Sequence, residues 1–123
     1  MFGYLKKSSD AKDLTNDFQF KNKCELNSVV IHSELAPLQD GDVSVFLLGK
    51  IFKCYDKRFN LVENKNHQQI VMDLYKEVGN DFVKLIDGHF QIVIIDNGEV
   101  KLFQNRYLAL GLYYYEYKDY FMF

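Results

Sequence analysis

The clearest periodicity in the chain follows Asn66. Ile70, Val71, Leu74, Tyr75 and Val78 recur at helical spacing and share one face. Asn66 is placed to cap the first turn, with Gln69 three residues later as in a capping box, and Gly79 is a natural C-terminal stop. Asn80 then opens a shorter helix carrying Phe82, Val83, Leu85 and Ile86, predicted to end at Asp87-Gly88.

Elsewhere the pattern is that of strands. Met1 to Leu5 reads as a short first strand, Val29-Val30-Ile31 as a β-branched run, and Val43 to Leu48 as a strand apolar enough to be buried on both faces. Lys6 to Asn27 is polar with scattered apolar residues, an irregular stretch with at most a weak helix or strand. Glu34 to Asp42, with Pro37 and Asp40-Gly41, reads as a connection. Phe90 to Ile95 and Val100 to Phe103 flank Asp96-Asn97-Gly98-Glu99, the strongest hairpin signal in the chain. Leu112 to Tyr117 and Tyr120 to Phe123 flank Lys118-Asp119 as a second hairpin. These elements predict an α+β fold in one domain, residues 1–123, with antiparallel sheet layers and helices packed outside. A C-terminal strand as aromatic as Tyr120-Phe121-Met122-Phe123 needs cover, so a partner, in the same polypeptide or another, is expected there.

Composition narrows the function classes. With 48% hydrophobic residues, nine Tyr and eleven Phe, the chain has material for a core, which excludes global disorder. A formal charge of −2 supplies no attraction to nucleic acid or to an anionic membrane. No apolar run reaches the roughly 20 residues of a membrane span, and the charges of Lys6 and Lys7 follow the apolar start, unlike a secretory signal. Two cysteines make no disulfide framework, so a reduced, cytoplasmic protein is expected. Metal and nucleotide signatures are absent from the sequence, and no cofactor is implied.

Several segments, taken in order, resemble one family: the N-terminal class II glutamine amidotransferase domain of asparagine synthetases, also found in β-lactam synthetases and lasso-peptide cyclases. Met1-Phe2-Gly3-Tyr4 is similar to the family's Met-Cys-Gly-Ile, and Leu48-Gly49-Lys50-Ile51-Phe52 to its Asn-Gly-Glu-Ile-Tyr. Asn66 to Gln69 stands where the family has Ser-Asp-Thr-Glu, and Leu85 to Phe90 resembles Leu-Asp-Gly-Met-Phe. Arg106 and Leu112-Tyr113-Tyr114 resemble Asp-Arg followed by Pro-Leu-Tyr-Tyr. The resemblance covers the first few residues and about the second two-thirds of the chain. It implies a trimmed N-terminal-nucleophile sandwich, and a role in amide or peptide biosynthesis.

It also marks what is missing. The family's nucleophile is a cysteine at the position of Phe2, and a phenyl ring cannot attack an amide carbonyl. Its oxyanion hole combines an Asn side chain with a Gly N–H; Leu48 offers no donor, although Gly49 keeps its N–H. His67 stands where a carboxylate would hold the substrate ammonium, and Val29 to Ser33 contains no Arg for the carboxylate. Phe2, Leu48, Gly49 and His67 are therefore degenerate site positions, and no catalytic residue is assigned.

On this resemblance the chain is an inactive amidotransferase-like domain, serving as scaffold or binding module for an ATP-dependent amide-forming synthetase. Two alternatives belong to other classes. One is an amidotransferase or hydrolase with a relocated nucleophile, Cys24 or Cys54, and His32, His67 or His89 as base, set against buried or incidental thiols. The other is a free-standing interaction protein whose partner completes the C-terminal strand.

Overall fold

A computed structural model describes residues 1–7, 21–26, 28–63, 66–105, 113–117 and 119–123, with Phe2 and Tyr117 described by their backbone alone. It consists mostly of antiparallel sheet, with one α-helix, in keeping with the expected α+β class. The chain gathers into two compact units, Met1–Ala36 with Leu112–Phe123, and Pro37–Gly111.

The first unit is a sheet of five strands: β1 (Phe2–Lys6), β2 (Asn22–Leu26), β3 (Val29–Ser33), β9 (Tyr115–Tyr117) and β10 (Tyr120–Met122). Their spatial order is β2-β3-β1-β10-β9. Val29, Val30 and Ile31 are fully buried, as a β-branched run demands. Tyr4 is buried as well, its ring stacked on His32 at 6.4 Å and edge-on to Tyr120 at 6.1 Å. The strand β2 lies within the stretch expected to be irregular; each of its residues pairs with β3, from Asn22 opposite Ser33 to Leu26 opposite Val29.

The C-terminal strand departs from expectation. β10 is no edge: it lies between β1 and β9, with Tyr4 opposite Met122 and Phe121 opposite Glu116. Gly3 N–H donates to the Phe123 carbonyl at 2.8 Å, and Phe123 N–H returns the bond at 2.9 Å. The cover that the aromatic strand needs is thus the chain's own beginning, and a partner adding a strand to β10 would find both backbone edges taken.

The second unit contains β4 (Leu38–Asp40), β5 (Val43–Tyr55), β6 (Leu61–Val62), α1 (His67–Val78), a 3₁₀ helix (Gly79–Leu85), β7 (Ile86–Asp96) and β8 (Glu99–Gln104). The sheet order is β4-β5-β7-β8, with β6 also on β5. The segment read as a connection therefore includes a short strand, turned back onto β5 through Gly41 at φ 62°. Burial on both faces of β5 holds over Ser44 to Leu47.

The N-cap and the C-terminal stop hold at atomic level, whereas the Gln69 side chain donates to Asp73 at 2.7 Å rather than closing a capping box. Asn66 accepts from Gln69 N–H at 3.1 Å, and Gly79 at φ 63° donates back to the Tyr75 carbonyl. The face of α1 carrying Ile70, Val71 and Leu74 packs on Val45, Ile92 and Ile94 of the sheet. Each such side chain stabilises the fold by about 1.5–3 kcal/mol through the area it removes from water. The β7–β8 turn has Asn97 at φ 48° and Gly98 at φ 82°, both left-handed, matching the twist of the strands it joins.

The expectation for Asp87-Gly88 requires correction. The second helix is a 3₁₀ segment ending at Leu85, and Asp87 and Gly88 lie inside β7. Glycine is needed there because β5 passes close by: a β-carbon on Gly88 would lie 2.2 Å from the Lys50 carbonyl oxygen. A turn signal and a close-approach signal look the same in one dimension.

Candidate functional site

Three of the four degenerate positions lie in the second unit, around the middle of β5; Phe2 belongs to β1 of the first, its backbone opposite His32. Leu48 is half-buried and pairs with Gln91. Gly49 pairs with Phe90 at φ 102°, and a β-carbon there would lie 2.1 Å from the His89 carbonyl oxygen. This glycine is accordingly required by the strand geometry itself. Phe52, the residue after Ile51, enters as the extra residue of a bulge between Ile51 and Lys53.

His67, the first residue of α1, reaches back to this stretch. Its Nδ1 accepts from Ile51 N–H at 3.2 Å, so at this contact Nδ1 offers its lone pair. The next residue, Gln68, donates through Nε2 to the Val45 carbonyl at 3.4 Å. The start of the helix thus ties itself to the strand through two side chains. With its Nδ1 lone pair spent on Ile51, the His67 ring has no acceptor left for a substrate ammonium, the role a carboxylate would fill.

The thiols are no better placed for attack. Cys54 is buried, its Sγ–H donates to the Val62 carbonyl at 3.0 Å, and burial pushes the thiol up from its ordinary value. A raised thiol is a poor source of thiolate. Cys24 is also pushed up by burial. It lies opposite Ile31 whereas His32 lies opposite Lys23, so neighbouring positions of β3 direct the thiol's partner and the imidazole to opposite faces. His89 is exposed, with Phe52 edge-on to its ring at 5.4 Å. Among the described residues no three His, Cys, Asp or Glu side chains gather to hold a metal ion, and no helix is long and apolar enough to cross a membrane. Arg106 and Leu112 lie outside the described residues, as does Ser8-Ser9-Asp10.

An open groove of about 860 Å³ runs beside the bulge, lined by apolar Ile51, Phe52, Cys54, Leu61, Val62 and Ile70 and by charged Lys53 and Glu63. A smaller cavity of about 170 Å³ shares Cys54, Val62 and Ile70 with it. Phe52, Leu61 and Val62 are exposed here, and so is Phe59 in the neighbouring turn. That turn is held by Asp56, whose Oδ1 accepts from Arg58 N–H at 2.8 Å and Asn60 N–H at 2.9 Å. These bonds, the one from Asn60 first, hold its carboxyl below the usual range.

A polar cluster on the other side of the same unit escaped the sequence reading. Tyr75 O–H donates to Asp96 Oδ2 at 2.6 Å, and Lys101 Nζ donates to Tyr75 Oη at 2.7 Å. Desolvation pushes the Tyr75 phenol up, and its bond to Asp96 adds to the effect. The Lys101 ammonium is also raised, first by its bond to Tyr75. The cluster ties α1 to the β7–β8 hairpin. Nothing in the spacing of positions 75, 96 and 101 announces it.

No family model matches this chain, and no curated protein or solved structure matches it either.

Proposed function

We propose that this chain is a non-catalytic, glutamine amidotransferase-like domain that acts as a binding or scaffold module for an asparagine synthetase-like, amide-forming enzyme. The observation that carries the reading is the state of the groups that would have to do chemistry. Cys54 spends its S–H on a backbone carbonyl, and His67 spends its lone pair on a backbone N–H. Neither is poised as a nucleophile or as its base. Leu48 brings no donor beside Gly49, and position 2 brings no thiol. What the second unit offers instead is a groove with exposed apolar side chains, suited to binding rather than turnover. The trimmed N-terminal-nucleophile sandwich and a cytoplasmic setting belong to this same proposal, which rests on the segments quoted above.

The test is ammonia release from glutamine. The wild-type chain is expected to release none, and Phe2→Cys is expected to leave it at zero, since the missing donor and the missing carboxylate remain. Measurable ammonia from either protein overturns the reading. Thiol labelling at neutral pH addresses the relocated nucleophile: slow labelling of Cys54 is expected, and fast labelling accompanied by turnover would favour the enzyme.

A further inference from the structure

The turn between β5 and β6 carries an aromatic ring at a position that favours glycine. Phe59 sits at φ 62° and is 69% exposed. A bulky side chain in the left-handed region is strained, and a ring left in water recovers little of that cost by burial. The other left-handed non-glycine among the described residues is Asn97, of a type that tolerates the conformation. Hydrogen bonds hold the strained turn in place. Asp56 N–H donates to the Asn60 carbonyl and Phe59 N–H to the Asp56 carbonyl, each at 2.9 Å, besides the two bonds that Asp56 Oδ1 accepts. Lys57 pairs with Glu77 at 3.2 Å and fastens the turn to α1. A fixed frame thus presents Phe59 to solvent, as it would an anchor residue.

The smaller cavity, of about 170 Å³, adjoins this turn: Asp56 belongs to both, and Glu77 of the cavity pairs with Lys57 of the turn. Ile70 and Leu74 of α1 form one apolar wall, with Cys54 and Val62 facing them, and Asp73 and Glu77 add carboxylates. A cavity of about 150 Å³ with apolar walls takes up benzene, so this one has room for a phenyl ring. Two charges beside it are left over. Arg58 is exposed and makes no ion pair among the described residues. Its charge only adds, after the Asn60 N–H and the turn's other bonds, to the lowering of the Asp56 carboxyl. Asp73, exposed on α1, receives the neutral Gln69 amide at 2.7 Å and no cation.

We propose that two copies of this chain associate about a two-fold axis, the Phe59 of each entering the small cavity of the other. Arg58 of each copy then faces Asp73 of the other copy. A knob and a hole side by side on one surface are satisfied together by a two-fold rotation, which closes the assembly at a dimer. The leftover cation and anion obey the same rule, since both pairs form at once. An unrelated acidic partner would use Arg58 and Phe59 but leave the cavity and Asp73 idle. One aromatic anchor per copy makes this a weak, transient interface. The dimer goes beyond the binding-module reading and stands if that reading fails.

The test is sedimentation equilibrium of the full chain over a range of concentrations. A reversible monomer–dimer equilibrium is expected, weakening as salt rises. Phe59→Gly removes the ring at a φ that glycine adopts freely, so the fold should be kept, read as unchanged circular dichroism. Its dimer dissociation constant is expected to rise about tenfold or more. Arg58→Glu and Asp73→Arg should each weaken the dimer by about tenfold. Combined in one chain they should restore it, because the exchanged charges meet again. The proposal is overturned by a chain that stays monomeric throughout, by a dimer indifferent to Phe59→Gly, or by a double variant as weak as the singles. Assembly that runs on past the dimer would also overturn it, by excluding the two-fold axis.

Discussion

The two sheets of this protein are each closed by one non-local antiparallel pairing, but over very different distances along the chain. The first joins the two ends of the chain: β1 is hydrogen-bonded to β10, with Gly3 and Phe123 exchanging both backbone bonds. The second pairs segments closer in sequence, with β5 of 13 residues lying against β7 of 11 across the intervening β6, α1 and 3₁₀ helix. Long-range pairing must first pay the entropy of closing a loop, and short strands return few bonds for it. The lesson lies in what holds each sheet at its closest point. In the second, backbone presses on backbone, at Gly49 against His89 and at Gly88 against Lys50. In the first, a side chain presses on backbone, with the Phe123 ring 2.3 Å from where a β-carbon on Gly3 would lie.

That difference predicts the largest and most contrasting effects. Gly49→Ala combines a left-handed φ with a clash that no side-chain rotation relieves. It should cost about 3 kcal/mol or more in urea denaturation. Gly3→Ala meets only a ring that can turn, and should cost about 1 kcal/mol. Equal costs at the two sites would erase the distinction.

A smaller effect is expected within the second unit. The Tyr75 phenol and the Lys101 ammonium both lie above their ordinary values, 10.0 and 10.5. For a group whose folded pKa is raised, the stabilisation is complete below the unfolded pKa and is lost as pH rises through the folded one. Stability should therefore decline above about pH 10. Tyr75→Phe removes the phenol and its bond to Asp96; a loss of about 1–2 kcal/mol at neutral pH and a shallower alkaline decline are expected. An unchanged alkaline limb would show that the cluster contributes nothing there. The smallest effect is expected at the helix start, where Asn66→Ala should cost about 1 kcal/mol, read as a lower melting temperature.

Much of the candidate site was legible as residue chemistry and little of it as geometry. That Phe2 cannot attack and that Leu48 cannot donate follow from the side chains alone. That His67 faces Ile51 N–H, and that Cys54 faces the Val62 carbonyl, depend on where α1 and β6 meet β5.

Elements whose cause lies within a few residues were determined by the chain's own order of amino acids. The Asn66 cap, the Gly79 stop and the left-handed Asn97-Gly98 turn each arise from local dihedral preference and a hydrogen bond a few positions away. Only the tertiary structure decided that Gly88 serves a strand rather than a turn, and that β10 is an inner strand. Both depend on which backbone comes to lie alongside. That is settled by the packing of distant segments, where local preference has no say.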